Sequence, residues 1–211
     1  MIHLTRLRLK ETHGARAEAQ YREVEQRFHD LKDIIAKQPG LWCEAVSLSR
    51  GLHHSVVLVH HHEPRGIKDI QPALMRKPVE ARCREIGQVA REVLRGLAHL
   101  ETHGLTHRAL SLEALRLTPT NHIAIQGLGP FFLTDNATLL SSGTIGKPLY
   151  LPTEILKYGP QGPLSAAESR DSSKGADVWA LGILLAQLLR GAPRAFGGPS
   201  VLPEPRGGGS G

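Results

Sequence analysis

The chain has 211 residues, of which 40% are hydrophobic and 22% charged, a balance typical of a single soluble globular domain. Its formal net charge is +6, but Lys and Arg are mixed with Glu and are not interleaved with aromatics, so nucleic-acid binding is not expected. No apolar run approaches the ~20 residues that span a bilayer. A secretory signal is not recognisable and Cys occurs only twice, which predicts a cytoplasmic protein without disulfides.

The N-terminal part of the chain contains one clear helical pattern. Residues 1–13 are predicted to be irregular, although Leu4, Leu7 and Leu9 are compatible with a short strand. Across residues 15–37, apolar side chains recur at the three-to-four spacing of an amphipathic helix. The Pro-Gly pair at 39–40 is expected to end this helix.

Two strands and a group of histidines follow. Residues 41–46 and 55–60 are predicted strands joined through residues 49–51, and the second strand is a continuous apolar run typical of a buried strand. The histidines around it suggest either a metal site or exposed side chains at a strand end, and we favour the second because neighbouring strand residues point to opposite faces. These histidines are His53, His54, His60, His61 and His62.

The strongest helical pattern covers residues 79–100. It follows a linker at 64–78 with a short predicted helix at 67–75, and its apolar residues step by four and three without interruption. Pro78 suits the first turn, and Gly104 is a C-terminal stop signal. The opposite face is predicted to be charged and solvated, with Arg82, Glu85, Arg91, Glu92 and Arg95.

A short hairpin and a second apolar helix are expected further along. Residues 115–117 and 122–125 are apolar and are separated by Thr-Pro-Thr-Asn, which favours a turn. Residues 159–174 are polar and rich in Gly, Pro and Ser, which predicts a loop. Residues 177–189 are apolar on nearly every side, so we expect a buried helix.

Taken in order, these features resemble the C-terminal lobe of a protein kinase. The long helix leads into His107-Arg108-Ala109-Leu110, the hairpin leads into Gly127-Leu128-Gly129, and Asp177-Val178-Trp179 opens the apolar helix. In protein kinases the corresponding motifs are the His-Arg-Asp catalytic loop, the Asp-Phe-Gly motif and a central helix.

The resemblance also implies that the catalytic positions are degenerate. The family uses an Asp base and an Asn metal ligand in the catalytic loop, and the Asp of Asp-Phe-Gly binds Mg²⁺. Ala109 and Ala114 stand at the two loop positions, and Gly127 stands at the third. Ser111 replaces a Lys that contacts phosphate, so no catalytic residue is intact and the resemblance implies a pseudokinase.

Other motif positions are retained for structure. The resemblance implies that Asp177 accepts hydrogen bonds from the loop backbone near His107, and that Glu154 pairs with an Arg of later helices. It also implies that Arg108 receives a phosphate from Ser141, Ser142 or Thr144 in the activation segment. The retained structural positions are His107, Arg108, Gly129, Glu154, Asp177, Trp179 and Gly182.

The predicted fold class is therefore α+β and kinase-like, with an incomplete N-lobe at residues 1–62 and a partial, mostly helical C-lobe at 63–190. Residues 191–211 are a predicted Gly/Pro-rich disordered tail. The amino-acid sequence of the loop resembles that of the TBC domain-containing kinase-like family. That similarity implies protein partners or adjoining domains, among them a Rab GTPase-activating TBC domain.

A divergent active kinase is the alternative hypothesis. Glu113 is the only carboxylate in the catalytic loop and would have to act as the base, with ATP and Mg²⁺ as cofactors. No Gly-rich loop or Val-Ala-x-Lys strand precedes the first helix, so the usual phosphate contacts are missing. The preferred hypothesis has no cofactor-binding or metal-binding residues.

Overall fold

A computed structural model describes residues 1–11, 13–43, 45–51, 55–135, 139, 146–158 and 166–191. The fold is α+β as predicted, with a three-stranded sheet, a two-stranded hairpin and helices around both. The predicted tail after Gly191, the candidate phosphorylation sites Ser141, Ser142 and Thr144, and His53 and His54 lie outside the described residues.

The sheet consists of β1 (Ile2–Arg8), β2 (Ala45–Gly51) and β3 (Ser55–His61), in the antiparallel order β1-β3-β2. The short strand suggested by Leu4, Leu7 and Leu9 is present as β1, whereas the prediction that the rest of 1–13 is irregular was wrong, because β1 pairs with β3 along its whole length. Leu7 and Leu9 lie on its buried side, whereas Leu4 is exposed. The strand was hard to recognise because its apolar residues Ile2, Leu4 and Leu7 do not alternate.

The strand predicted at 41–46 was placed too early, whereas the strand predicted at 55–60 agrees with β3. Residues 49–51, expected to link two strands, belong to β2. Residues 41–43 instead run beside the hairpin strand β5 (Ile123–Ile125), where Cys43 N–H donates to Ile125 O at 3.0 Å and Ile125 N–H donates to Leu41 O at 2.9 Å. This extra pairing joins the sheet region to the hairpin.

Helix α1 (Gly14–Ala36) covers one face of the sheet and agrees with the predicted helix within one residue at each end. Its apolar stripe, including Val24 and Leu31, packs in the same core as Val56 and Leu58 of β3. All four side chains are fully buried, which is the expected result of an amphipathic helix against an apolar strand.

Helices α2 (Ile67–Met75) and α3 (Val79–Thr102) follow their predicted positions. Pro78 precedes α3, and Gly104, with a φ of +67°, follows its end as the stop signal indicated. Ile86, Val93 and Leu100 form the buried stripe of α3, whereas Val79 in its first turn is exposed.

The predicted hairpin is present as β4 (Leu115–Leu117) and β5, and α3 packs closely on it. Thr118 N–H donates to His122 O at 2.9 Å, and Asn121 adopts a left-handed φ of +61° in the turn. A Cβ added at Gly96 of α3 would lie 2.7 Å from Ile125 Cδ1, so this glycine permits the close approach.

Helices α4 (Pro130–Leu133), α5 (Thr153–Tyr158) and α6 (Ala166–Arg190) complete the described fold. Helix α6 begins inside the segment predicted to be a loop at 159–174. The expectation that its apolar part is buried on every side was also wrong, since Val178 and Trp179 are 61% and 47% exposed. No described helix is long and apolar enough to cross a membrane.

Candidate functional site: a degenerate kinase loop

Asp177 anchors the loop that follows α3. Its Oδ2 accepts a hydrogen bond from His107 N–H at 2.6 Å, and its Oδ1 accepts one from Arg108 N–H at 2.8 Å. Burial raises the Asp177 pKa to about 6, against the opposing effect of these two hydrogen bonds and of the Arg108 charge. Asp177 therefore has a structural contact with the loop backbone, as the kinase resemblance implies.

His107 is enclosed beneath the loop. Its ring is fully buried and lies parallel to Trp42, with centroids 6.4 Å apart and an interplanar angle of 18°. The Nδ1 atom accepts a hydrogen bond from Ala109 N–H at 3.2 Å. Burial lowers the His107 pKa to about 4, so the imidazole is neutral near pH 7.

Arg108 points into the protein rather than toward solvent. It has a left-handed φ of +62° and is 3% exposed, and its Cζ lies 4.7 Å from the centroid of the Phe131 ring. Burial lowers its pKa, while the carboxylates of Asp177 and Glu154 act in the opposite direction. In this arrangement the guanidinium is not presented to a phosphate at the surface.

The loop positions that the kinase resemblance assigns to catalysis carry no acidic group. Ala109 is half-buried, and Ala114 and Ser111 are buried. Ala114 N–H donates to Ser111 O at 3.0 Å, which closes a short 3₁₀ turn. These residues shape the loop, but they offer no carboxylate or amide side chain for a metal ion or a proton.

Gly127 and Gly129 flank the buried side chain of Leu128 and have left-handed φ values of +88° and +121°. The side-chain atom nearest to a Cβ added at Gly127 is His107 Cε1, at 4.0 Å. A Cβ at Gly129 would lie 2.9 Å from Leu31 Cδ2 and 3.4 Å from Leu58 Cδ2. Gly129 therefore lets α1 and β3 meet at this tripeptide.

Glu113, the only loop carboxylate, is paired with lysines. Its Oε2 lies 2.9 Å from Lys147 Nζ, and its Oε1 lies 4.0 Å from Lys68 Nζ. Partial burial disfavours the charged form, but the hydrogen bond from Lys147 and further hydrogen bonds outweigh it, so the Glu113 pKa is lowered. A lowered pKa makes this carboxylate a weaker base.

Two buried polar networks around the loop were not predicted from the sequence. Tyr150 O–H donates to Gln187 Oε1 at 2.7 Å, and the same hydroxyl accepts from Leu112 N–H at 3.3 Å. Gln71 donates to Gln187 O at 3.2 Å, which ties α2 to α6. An isolated Gln in an otherwise apolar helix was the signal available for this network.

Glu92 corrects the prediction of a solvated charged face on α3. It is 6% exposed, and its carboxylate accepts hydrogen bonds from Ile123 N–H at 2.6 Å and from His122 Nδ1 at 3.1 Å. Burial disfavours its charge, but these bonds, with one from Gln88, lower its pKa. Glu92 thus connects α3 to the start of β5.

Three predicted motif residues lie outside the interior of the loop. One of them, Glu154, acts on it only through its charge. Glu154 is half-buried at the start of α5, and its charge acts on Arg108. Trp179 is exposed on α6, and a Cβ added at Gly182 would meet nothing within 4 Å. Gly182 therefore makes no close contact at its side-chain position within the described residues, and Trp179 keeps about half of its surface exposed.

The histidines near β3 do not form a metal site within the described part of the chain, where no group of three or more potential ligands occurs. The expectation that they are exposed was wrong for His60, which is 1% exposed. Burial lowers the His60 pKa to about 4, with a further contribution from His3. His61 is exposed as expected.

The residues at the loop do not fit Mg²⁺. Mg²⁺ prefers oxygen ligands, usually carboxylates together with substrate phosphates. Ala114 and Gly127 stand at the two positions that the kinase resemblance assigns to metal binding, and Glu113 is already paired with Lys147.

No protein-family model matches the sequence. The chain is 34% identical over 168 residues to the human TBC domain-containing protein kinase-like protein, and 31% identical over 165 residues to the Dictyostelium discoideum protein of that name. These matches cover 78% and 77% of this chain, but only 18% and 14% of the relatives. Misshapen-like kinase 1 of Rattus norvegicus is 29% identical over 108 residues, covering 51% of this chain and 8% of that protein. The chain therefore has a protein kinase-like fold and is similar over most of its length to TBC domain-containing protein kinase-like proteins.

Proposed function

We propose that this chain is a pseudokinase module, which binds protein partners or orients adjoining domains and does not transfer phosphate. The observation that carries the proposal is the combined loss of acidic and amide side chains at Ala109, Ala114 and Gly127. Phosphoryl transfer depends on metal ions and positioned charges, and these positions supply neither. The retained Asp177 contacts hold the loop in shape, which a binding module needs as much as an enzyme does.

A divergent active kinase remains the second candidate because Glu113 lies in the loop. Its carboxylate would have to leave Lys147 and reach a substrate hydroxyl, and its lowered pKa opposes proton abstraction. The absence of the metal-binding side chains would remain even then. We therefore favour the inactive module.

Phosphate transfer from radiolabelled ATP to generic protein acceptors tests the proposal, with an active protein kinase as positive control. We expect no transfer, and no rise in the unfolding temperature when ATP is added with or without Mg²⁺. Mg²⁺-dependent transfer that disappears in the Glu113→Gln variant would overturn the pseudokinase assignment. Transfer that persists in that variant would instead indicate a contaminating kinase.

The proposed partner is suggested by the relatives, which are named TBC domain-containing proteins. We propose that the module works beside a Rab GTPase-activating TBC domain in the cytoplasm. The test is direct binding of the purified chain to a TBC domain of such a relative by calorimetry. We expect saturable binding, and no heat of binding to that domain would contradict this part of the proposal.

A further inference from the structure

The solvent-facing side of α3 carries a stripe of arginines, Arg84, Arg91 and Arg95. At about 100° per residue these positions fall within about 40° of one another around the helix axis, and the outer two are about 16 Å apart along it. All of them are exposed, and they lie opposite the buried stripe of α3 that contains Val93 and Leu100. This arginine stripe is therefore a narrow basic surface that faces away from the core.

The arginine stripe is not neutralised by carboxylates of the described part of the chain. None of the ion pairs found there involves the stripe, whereas Arg27 and Arg50 are paired with glutamates of α1. Arg91 donates from Nη2 to a neutral acceptor, Gln88 Oε1, at 2.8 Å. Because Arg91 and Arg95 are four residues apart, their like charges repel each other. An anionic partner would relieve this repulsion as well as form new contacts.

A recess lies beside the C-terminal end of the arginine stripe. Its volume is about 290 Å³, and it lies between Arg95, the turn of the hairpin and residues 38–41. Glu92 also lines the recess, but it is 6% exposed and its carboxylate already accepts hydrogen bonds from His122 and Ile123. Arg95 therefore contributes an exposed positive charge to a concave surface.

We propose that the arginine stripe and this recess form a docking surface for an acidic, extended segment of a protein partner. Carboxylates match the planar donor fork of a guanidinium, so acidic side chains complement the stripe. Alternate side chains of an extended segment lie on one face about 6.7 Å apart, close to the axial rise of about 6 Å between Arg91 and Arg95. The inference rests on the proposed role in protein binding and names the chemistry of the partner.

The shape and composition of this surface favour a protein segment over a membrane or a nucleic acid. The arginine stripe is one helix wide and ends at a concave recess, whereas a membrane surface is flat and amphipathic helices that bind it insert an apolar face. The sequence of α3 contains no Phe, Tyr or Trp, so bases would find no aromatic stacking surface along the stripe.

Fluorescence anisotropy of a labelled peptide in which four Glu residues alternate with Ser tests the docking surface. At about 50 mM salt we expect saturable binding to the wild-type chain, which weakens as salt is added because the contacts are exposed ion pairs. The variant Arg84→Gln/Arg91→Gln/Arg95→Gln should bind about tenfold more weakly, since all three pairs are lost. Gln has nearly the helix propensity of Arg, so this variant should fold as the wild type does.

The matched control removes the same charge from α1, in the variant Arg16→Gln/Arg22→Gln/Lys32→Gln, whose substituted positions are all exposed. We expect this control to bind the peptide almost as well as the wild type. An equal loss of affinity in the control would show that the peptide responds to net charge alone, and it would overturn the proposal. Absence of saturable binding to the wild type would overturn it as well.

Charge reversal identifies the contact. The variant Arg84→Glu/Arg91→Glu/Arg95→Glu should bind the corresponding peptide of Lys and Ser, which the wild type should not bind. Co-sedimentation of the wild type with vesicles of phosphatidylserine and phosphatidylcholine, without binding of the Glu peptide, would overturn the proposal in favour of a membrane surface. None of these experiments measures phosphate transfer or uses a TBC domain, so failure of this inference is distinguishable from failure of the proposed function.

Discussion

Single residues hold the loop at residues 107–114 in a defined shape. Asp177 is 5% exposed and satisfies the N–H groups of His107 and Arg108, which would otherwise be buried without an acceptor in this region. When a buried donor loses its partner, the protein loses the full desolvation free energy of that donor. This penalty is larger than the net contribution of the hydrogen bond to stability. The carboxylate is consequently a determinant of loop geometry.

We expect the Asp177→Asn variant to lower the free energy of unfolding by about 2–4 kcal/mol. Asn has one acceptor oxygen, and its NH₂ group would face a backbone N–H. Urea denaturation of the variant and the wild type measures the difference. Asp30→Asn on the exposed side of α1 is the matched control and should change stability by less than about 0.5 kcal/mol. An equal effect of both variants would contradict the anchoring role.

The candidate site residues were assigned from motif order, whereas their surroundings had no such signal. Ala109, Ala114 and Gly127 could be assigned from the sequence because spacing along a loop is a local property. The stacking of His107 on Trp42 joins residues 65 positions apart, and the burial of Arg108 under Phe131 depends on packing. Such contacts have no local sequence signal, so they required the structure.

At the level of elements, the approach of α3 to β5 depends on one small residue. Gly96 faces Ile125 and Trp42, both buried, whereas Gly87 on the same helix has only Arg91 Nη1 near its side-chain position, at 3.8 Å. The two glycines share the same helix-propensity penalty, about 1 kcal/mol relative to Ala. They differ only in the space available.

This pair makes a direct test of the α3–β5 packing. Gly87→Ala should raise the free energy of unfolding by about 0.5–1 kcal/mol, because the helix gains propensity without a clash. Gly96→Ala should instead lower it by about 1–3 kcal/mol, because the new methyl would lie 2.7 Å from Ile125 Cδ1 and 3.3 Å from Trp42. Chemical denaturation distinguishes these signs, and stabilisation by both substitutions would show that the interface is loosely packed.

Helices were predicted more accurately than strands, for a physical reason. Helices α1, α2 and α3 bury one face, so their apolar spacing appears in the sequence. Strand β1 buries only Leu7 and exposes Ile2 and Leu4, so its apolar residues do not mark its buried side. Residues 41–43 form an apolar segment that pairs with β5. From the sequence, this segment was misinterpreted as the start of β2.

For the molecule as a whole, two buried imidazoles link stability to pH. Burial lowers the pKa values of His60 and His107 from 6.5 to about 4. Between these values the unfolded chain binds protons at both imidazoles and the folded chain does not, so stability falls as pH falls through this window. Asp177 acts in the opposite direction, because its raised pKa of about 6 lets the folded chain bind a proton above 3.8.

We expect the free energy of unfolding to decrease from pH 6.5 toward pH 4, with each imidazole contributing at most about 1.4 kcal/mol per pH unit. Replacement of His60 by Leu should make this dependence shallower, since one titrating group is removed. Urea denaturation across the window measures the slope. His29→Leu at an exposed position of α1 is the control, and an unchanged slope in His60→Leu would contradict the role of His60.

Gly129 has a consequence for how this tripeptide can vary among related sequences. A side chain at this position would meet Leu31 and Leu58, so a glycine is required there whether or not the loop binds a metal ion. Steric demand alone is therefore enough to preserve this part of the motif.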